Sequence, residues 1–145
     1  MTANTETLSP TSEAEADAVS VRVVLVDSRP DRRAVMRQVF EHSGVDAAVV
    51  GEADGEADAV ALVEQHGAEL AVVELPMPLR DGLATVAALR HRFPDLAIVV
   101  ISFNTDVAVK EQALADGADA YLLKPVSARE VVAAIPATPD PSAAA

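Results

Sequence analysis

The chain has no cysteine and no tryptophan, and only one tyrosine and three phenylalanines among 145 residues. Without cysteine there can be no disulfide framework, thiolate metal site or cysteine nucleophile. At 3% aromatics there is no material for base-stacking platforms or aromatic sugar-binding surfaces. Basic charge is scarce as well: 11 Lys and Arg face 23 Asp and Glu, for a net charge of −12. That balance excludes a phosphate-neutralising face for nucleic acid. No stretch approaches the ~20 apolar residues of a membrane span. Residues 1–20 carry four acids, no base and no apolar run. They do not read as a secretory signal, so the expected location is cytoplasmic. What the chain does have is an aliphatic half, rich in Val, Leu, Ala and Ile, at the size of one domain.

Composition divides the chain in three. Residues 1–20 read as a disordered acidic tail, and PATPDPSAAA (136–145) as a Pro/Ala-rich C-terminal tail. The segment from Val21 to Ile135 keeps every base and a charge of −7. Within it, apolar β-branched runs alternate with helical spacing. VRVVLV (21–26), AAVVGEA (47–53), ELAVVEL (69–75), LAIVVIS (96–102) and AYLL (120–123) read as strands. Pro30-Asp31 opens a helix with Val35, Met36, Val39 and Phe40 as its apolar positions, and Gly44 behind it as a C-cap. A second helix runs through Ala59, Val60 and Val63 to Gly67. A third starts at Asp81-Gly82 with Leu83, Val86, Ala87 and Leu89 inward. Asp106 caps a fourth and Ser127 a short fifth that ends at Ile135. Five βα units in this order predict a doubly wound α/β fold with a five-stranded parallel sheet. GEADGEAD (51–58) places four acids at the start of the second helix, where they offset its dipole. Their spacing does not match a calcium loop.

In such sheets ligands sit at the C-terminal strand ends. There the chain offers Asp27 and Ser28 after the first strand, Glu74 in the third, Ser102-Phe103 after the fourth and Lys124-Pro125 after the fifth. Two carboxylates, two hydroxyls and one of only two lysines therefore share a rim. Ser28 is also placed to cap the first helix. The three histidines, His42, His66 and His91, fall near helix ends and read as solvated groups. No GxGxxG, Walker loop or nucleophile elbow is present, so an enzyme is not expected.

VRVVLVDSRPDRRAVMRQVF, the Met77-Pro78 and Asp81-Gly82 of ELPMPLRDG, VVIS and GADAYLLKP together resemble a receiver domain of bacterial two-component response regulators. The opening is closest to LuxR-type receivers. The resemblance spans about Val21 to Ile135 and implies a flavodoxin-like (βα)5 receiver working in phosphorelay signal transduction. It also implies site roles. Asp27 and Ser28 stand where a pair of acids normally helps bind Mg²⁺. Glu74 stands at the phosphoacceptor position, normally Asp, and the Pro76 backbone carbonyl would complete a weak metal set with Asp27 and Glu74. Ser102 and Lys124 match the phosphate-contacting positions, and Tyr121 the aromatic switch. Phe103 occupies a usually small position and crowds the phosphate space.

The departures are physical. Ser28 removes an anion from a Mg²⁺ set that favours carboxylates. Glu74 is a methylene longer than Asp, in sites where about 1 Å of misplacement costs about 10²-fold. The expectation is an atypical, stand-alone, phosphorylation-independent receiver acting as a protein-interaction module, with no cofactor. Its partner would be another regulator, a kinase, an effector or a second copy, met through Val107, Lys110, Tyr121 and Val131. A Glu74–Lys124 ion pair would bias Ser102 and Tyr121 toward one switch state. Two alternatives stand beside it. One is a working single-domain phosphoacceptor using Mg²⁺. The other is a relic of a LuxR-type transcription regulator lacking its DNA-binding domain.

Overall fold

The computed structural model describes residues 20–75 and 79–136. Five parallel strands form one sheet in the order β2-β1-β3-β4-β5. They are β1 (Val21–Val26), β2 (Ala47–Ala53), β3 (Leu70–Leu75), β4 (Ala97–Ser102) and β5 (Ala120–Leu123). The connecting helices are α1 (Pro30–Glu41), α2 (Glu56–His66), α3 (Leu79–Arg92), α4 (Val107–Asp116) and α5 (Ala128–Ala133). β3 and β4 are buried at every residue, as their unbroken apolar runs require of central strands covered on both faces.

The pleat sorts these runs into two cores. Val24, Val26, Ala71, Val73, Ile98 and Val100 face α2, α3 and α4, where Ala59, Val63, Val86, Leu89, Val109 and Ala113 meet them. Val23, Leu25, Leu70, Val72, Val99 and Ile101 face α1 and α5, against Met36, Phe40, Ala128 and Val131. Each residue's neighbour along the strand serves the opposite layer, as a period of two dictates.

Helix ends follow local chemistry. Asp106 Oδ1 accepts from Ala108 N at 2.9 Å, and Gly67 closes α2 at φ 59°. Ser127 and Glu130 form a reciprocal capping box on α5. Ser28 caps nothing: the N-cap of α1 is Arg29, which makes no side-chain cap bond, and Pro30 follows it.

Several expectations shift. In α1 only Met36 and Phe40 are buried; Val35 is 62% exposed, because it lies 100° around the helix from the Met36–Phe40 face. Ala87 in α3 is exposed for the same reason, and α3 begins at Leu79, so Gly82 sits inside it, buried. α5 stops at Ala133. Glu52 belongs to β2 and pairs with Arg37 at 2.6 Å and Arg33 at 3.3 Å, leaving Glu56 and Asp58 in the first turn of α2. Arg37 and Arg33 hold the Glu52 carboxyl below the usual range, Arg37 more strongly.

At the opposite end of the sheet, Arg90 ties α3 to the α4–β5 turn. It donates to the carbonyls of Gly117 at 2.9 Å, Pro94 at 2.8 Å and Leu96 at 2.7 Å, and to Asp119 Oδ2 at 2.9 Å. Gly117 has φ 123°, and a Cβ there would lie 2.5 Å from Arg90 Cβ and Cγ. Gly117→Ala is expected to cost about 1–3 kcal/mol, measured by denaturant unfolding.

Candidate functional site

Strand register gathers the rim residues. Val26 pairs with Val73, so the next residues, Asp27 and Glu74, lie side by side. Ser102 pairs with Leu123, and the next residue, Lys124, donates its backbone N–H to Ser102 O at 2.8 Å. Asp27, Glu74 and Ser102 are buried at 2%, 5% and 2% exposure.

Lys124 Nζ meets Glu74 Oε1 at 2.6 Å. Asp27 Oδ1 accepts from Arg29 N at 2.9 Å, and the Asp27 carbonyl accepts from Arg33 Nη1 at 2.5 Å. The remaining oxygens, Asp27 Oδ2 and Glu74 Oε2, are buried with no donor. Burial first, and then the neighbouring Asp27 carboxyl, push Glu74 up to about 7 against the pull of Lys124.

A divalent cation would need more than this. Among the described residues no three His, Cys, Asp or Glu come together. Lys124 occupies one Glu74 oxygen, and Ser28 is exposed. The hollow lined by Asp27, Arg33 and Glu74 beside Met36 and Val72 measures about 10 Å³, room for one water at most. Mg²⁺ demands near-octahedral oxygens and keeps several waters. The described residues do not fit it, and Pro76 lies outside them.

The hydroxyl and the switch position meet at a residue the sequence reading passed over. Ser102 Oγ accepts from Asn104 N at 2.9 Å, and Tyr121 Oη donates to Asn104 O at 2.7 Å. Asn104 Oδ1 in turn accepts from Asp106 N at 2.9 Å. Ser102, Tyr121 and the cap of α4 therefore hang on one loop residue. Its only sequence signal is the N-x-D pair of turn formers ahead of a helix. Arg33 was also missed. Its spacing of six from Asp27 brings it back over the strand end from the first turns of α1.

The expected partner face is only half on the surface. Val107 is 64% exposed and Lys110 is exposed, but Tyr121 is 9% exposed and Val131 is fully buried. Tyr121 turns inward to reach Asn104, and Val131 is the sheet-facing side of α5. Apolar exposure on this side comes from Phe103, Val107, Leu114 and Leu123. Phe103 does not fill the pocket; its ring is 70% exposed, its centroid 5.3 Å from Lys124 Nζ.

The model of the response regulator receiver domain family matches residues 23–136. The transcriptional regulatory protein NarL of Mycobacterium tuberculosis is 36% identical over 116 residues, covering 79% of this chain and 53% of NarL. PdtaR of the same organism is 32% identical over 126 residues, covering 87% of this chain and 60% of PdtaR. The chain thus spans little more than half of these relatives. Among solved structures, the NarL receiver domain superposes with a TM-score of 0.69 at 36% identity, over 79% of this chain and 92% of that one. A Burkholderia pseudomallei response regulator with a phosphorylated aspartic acid, calcium ion and citrate does so at 0.67 and 26% identity, over 81% and 67% of the two chains.

Glu74 gives the fold a pH dependence with a definite sign. Its folded pKa of about 7 lies above the ordinary 4.5, so the protonated form favours the fold. This contribution is complete below about 4.5 and is lost as pH rises through about 7. Thermal unfolding between about pH 5 and pH 8 should show wild-type Tm falling by several degrees more than that of Glu74→Gln.

Proposed function

The chain belongs to the response regulator receiver domains of two-component signalling, and from that premise we propose that it is an atypical receiver that signals without being phosphorylated. In this reading Glu74 holds the phosphoacceptor's place, and the 2.6 Å contact from Lys124 Nζ to Glu74 Oε1 carries the argument. A receiver's lysine is expected to answer a phosphoryl group; here it is already engaged by a resident carboxylate. A carboxylate supplies at most one charge where a phosphoryl group supplies about 1.5 to 2. The imitation is partial, and the raised pKa of Glu74, about 7, weakens it further.

The readout follows from the hydrogen bonds. Tyr121 is inward on Asn104 O, and Ser102 Oγ holds Asn104 N. With the loop fastened this way, Val107 and Lys110 on α4 present one constant surface, extended by Phe103, Leu114 and Leu123. That surface suits a protein partner: a kinase, another regulator, an effector or a second copy, in the cytoplasm. No residue is assigned a catalytic role, and Lys124 occupies one of the Glu74 oxygens that a Mg²⁺ set would use.

Incubation with acetyl phosphate and Mg²⁺, followed by intact mass, should give no phosphoryl adduct on the wild-type chain. An adduct that depends on Mg²⁺ and maps to Glu74 would make it a working acceptor instead. Glu74→Gln should weaken partner capture and alter the fluorescence of Tyr121, the only tyrosine in a chain without tryptophan. Unchanged binding and unchanged emission would sink the biasing role.

A further inference from the structure

Phe103 is the most exposed of the large hydrophobic residues in the described structure, at 70%, and its position is hard to explain by packing. A ring that serves the core behaves like Phe40, which is 2% exposed. Phe103 contacts the ammonium of Lys124 instead. Lysine's four-carbon stem is flexible and its ammonium is strongly hydrated, so a lysine at a strand end would ordinarily turn to water. Lys124 does not: its side chain is 14% exposed, with Glu74 Oε1 at 2.6 Å and the Phe103 ring centroid at 5.3 Å. The backbone supports the arrangement, because the residue before Phe103, Ser102, accepts the Lys124 backbone N–H.

We propose that Phe103 is a positioning residue that clamps Lys124 onto Glu74, its ring forming the outer wall of the ion pair. The ring face attracts the cation through its quadrupole and keeps water from one side of it. Excluding water strengthens the attraction between ammonium and carboxylate. The clamp deepens the phosphorylation-independent reading above, on which it rests: a lysine held from both sides is withheld from any incoming anion, not merely satisfied by Glu74.

The chain offers an internal control, since its only two lysines are Lys124 and the exposed Lys110. Limited amine acylation of the full chain, read by peptide mass, measures both at once. Wild type should label at Lys110 and be protected at Lys124. Phe103→Ala and Phe103→Leu should each raise Lys124 labelling between about twofold and thirtyfold, the span of a cation–π contact, with Lys110 unchanged. Phe103→Tyr, which keeps the ring face, should restore protection. The exposure of Phe103 means these variants keep the fold, and an unaltered Lys110 rate checks it. Unchanged Lys124 labelling in Phe103→Ala overturns the clamp, and so does a Phe103→Leu variant as protected as wild type, because bulk alone would then suffice. A phosphoryl adduct on wild type is a separate measurement and overturns the underlying reading instead.

Discussion

Everything at the strand-end rim depends on bringing one ammonium and two carboxyls together out of water. Removing such charges from solvent costs several kcal/mol per ion, and the pair recovers that only with close geometry. The 2.6 Å contact between Lys124 and Glu74 provides the geometry, and burial beside Asp27 pushes Glu74 up to about 7, which eases the surplus negative charge. Buried ion pairs are poor stabilisers compared with apolar side chains of similar volume. The strands around this one are already saturated with Val, Leu and Ile, so stability does not require charge here. The cluster makes sense as a specification of one arrangement among the strand ends.

That specification depends on the single sheet and the cores on its two faces. β3 and β1 are central, and their register leaves Asp27 and Glu74 no choice of neighbour. β5 is an edge strand held only by β4, yet it delivers both Lys124 and Tyr121. The buried centre supplies the anions, and the edge supplies the groups that respond to them. The Arg90 ties at the far end of the sheet hold the α4–β5 turn in place, so the edge strand is anchored where it enters and engaged where it leaves.

Much of this was legible in the sequence. Apolar runs flanked by polar residues and turn formers gave β1, β2 and β5 their observed limits, while the fully buried β3 and β4 each begin one residue later than the apolar run suggests, at Leu70 and Ala97. Glu74, Lys124, Asp27 and Ser102 were legible because strand ends converge by topology. Exposure was harder to read. Val131 and Tyr121 were expected on a surface, but which side of a short helix or edge strand faces outward depends on the packing of α5 and on one hydrogen bond. Asn104 and Arg33 carry no periodic signal. An Asn in a loop and one Arg among several on α1 look like solvated residues until the fold closes over them.

Asn104 uses its amide N–H, its carbonyl and its side chain for three different neighbours: Ser102, Tyr121 and Asp106. In mechanical terms it is a junction of three links with no slack between them. The start of α4 therefore cannot distinguish a pull that begins at the buried hydroxyl from one that begins at the tyrosine. A hydroxyl from β4 and a phenol from β5 thus reach the first turn of α4 through a single residue.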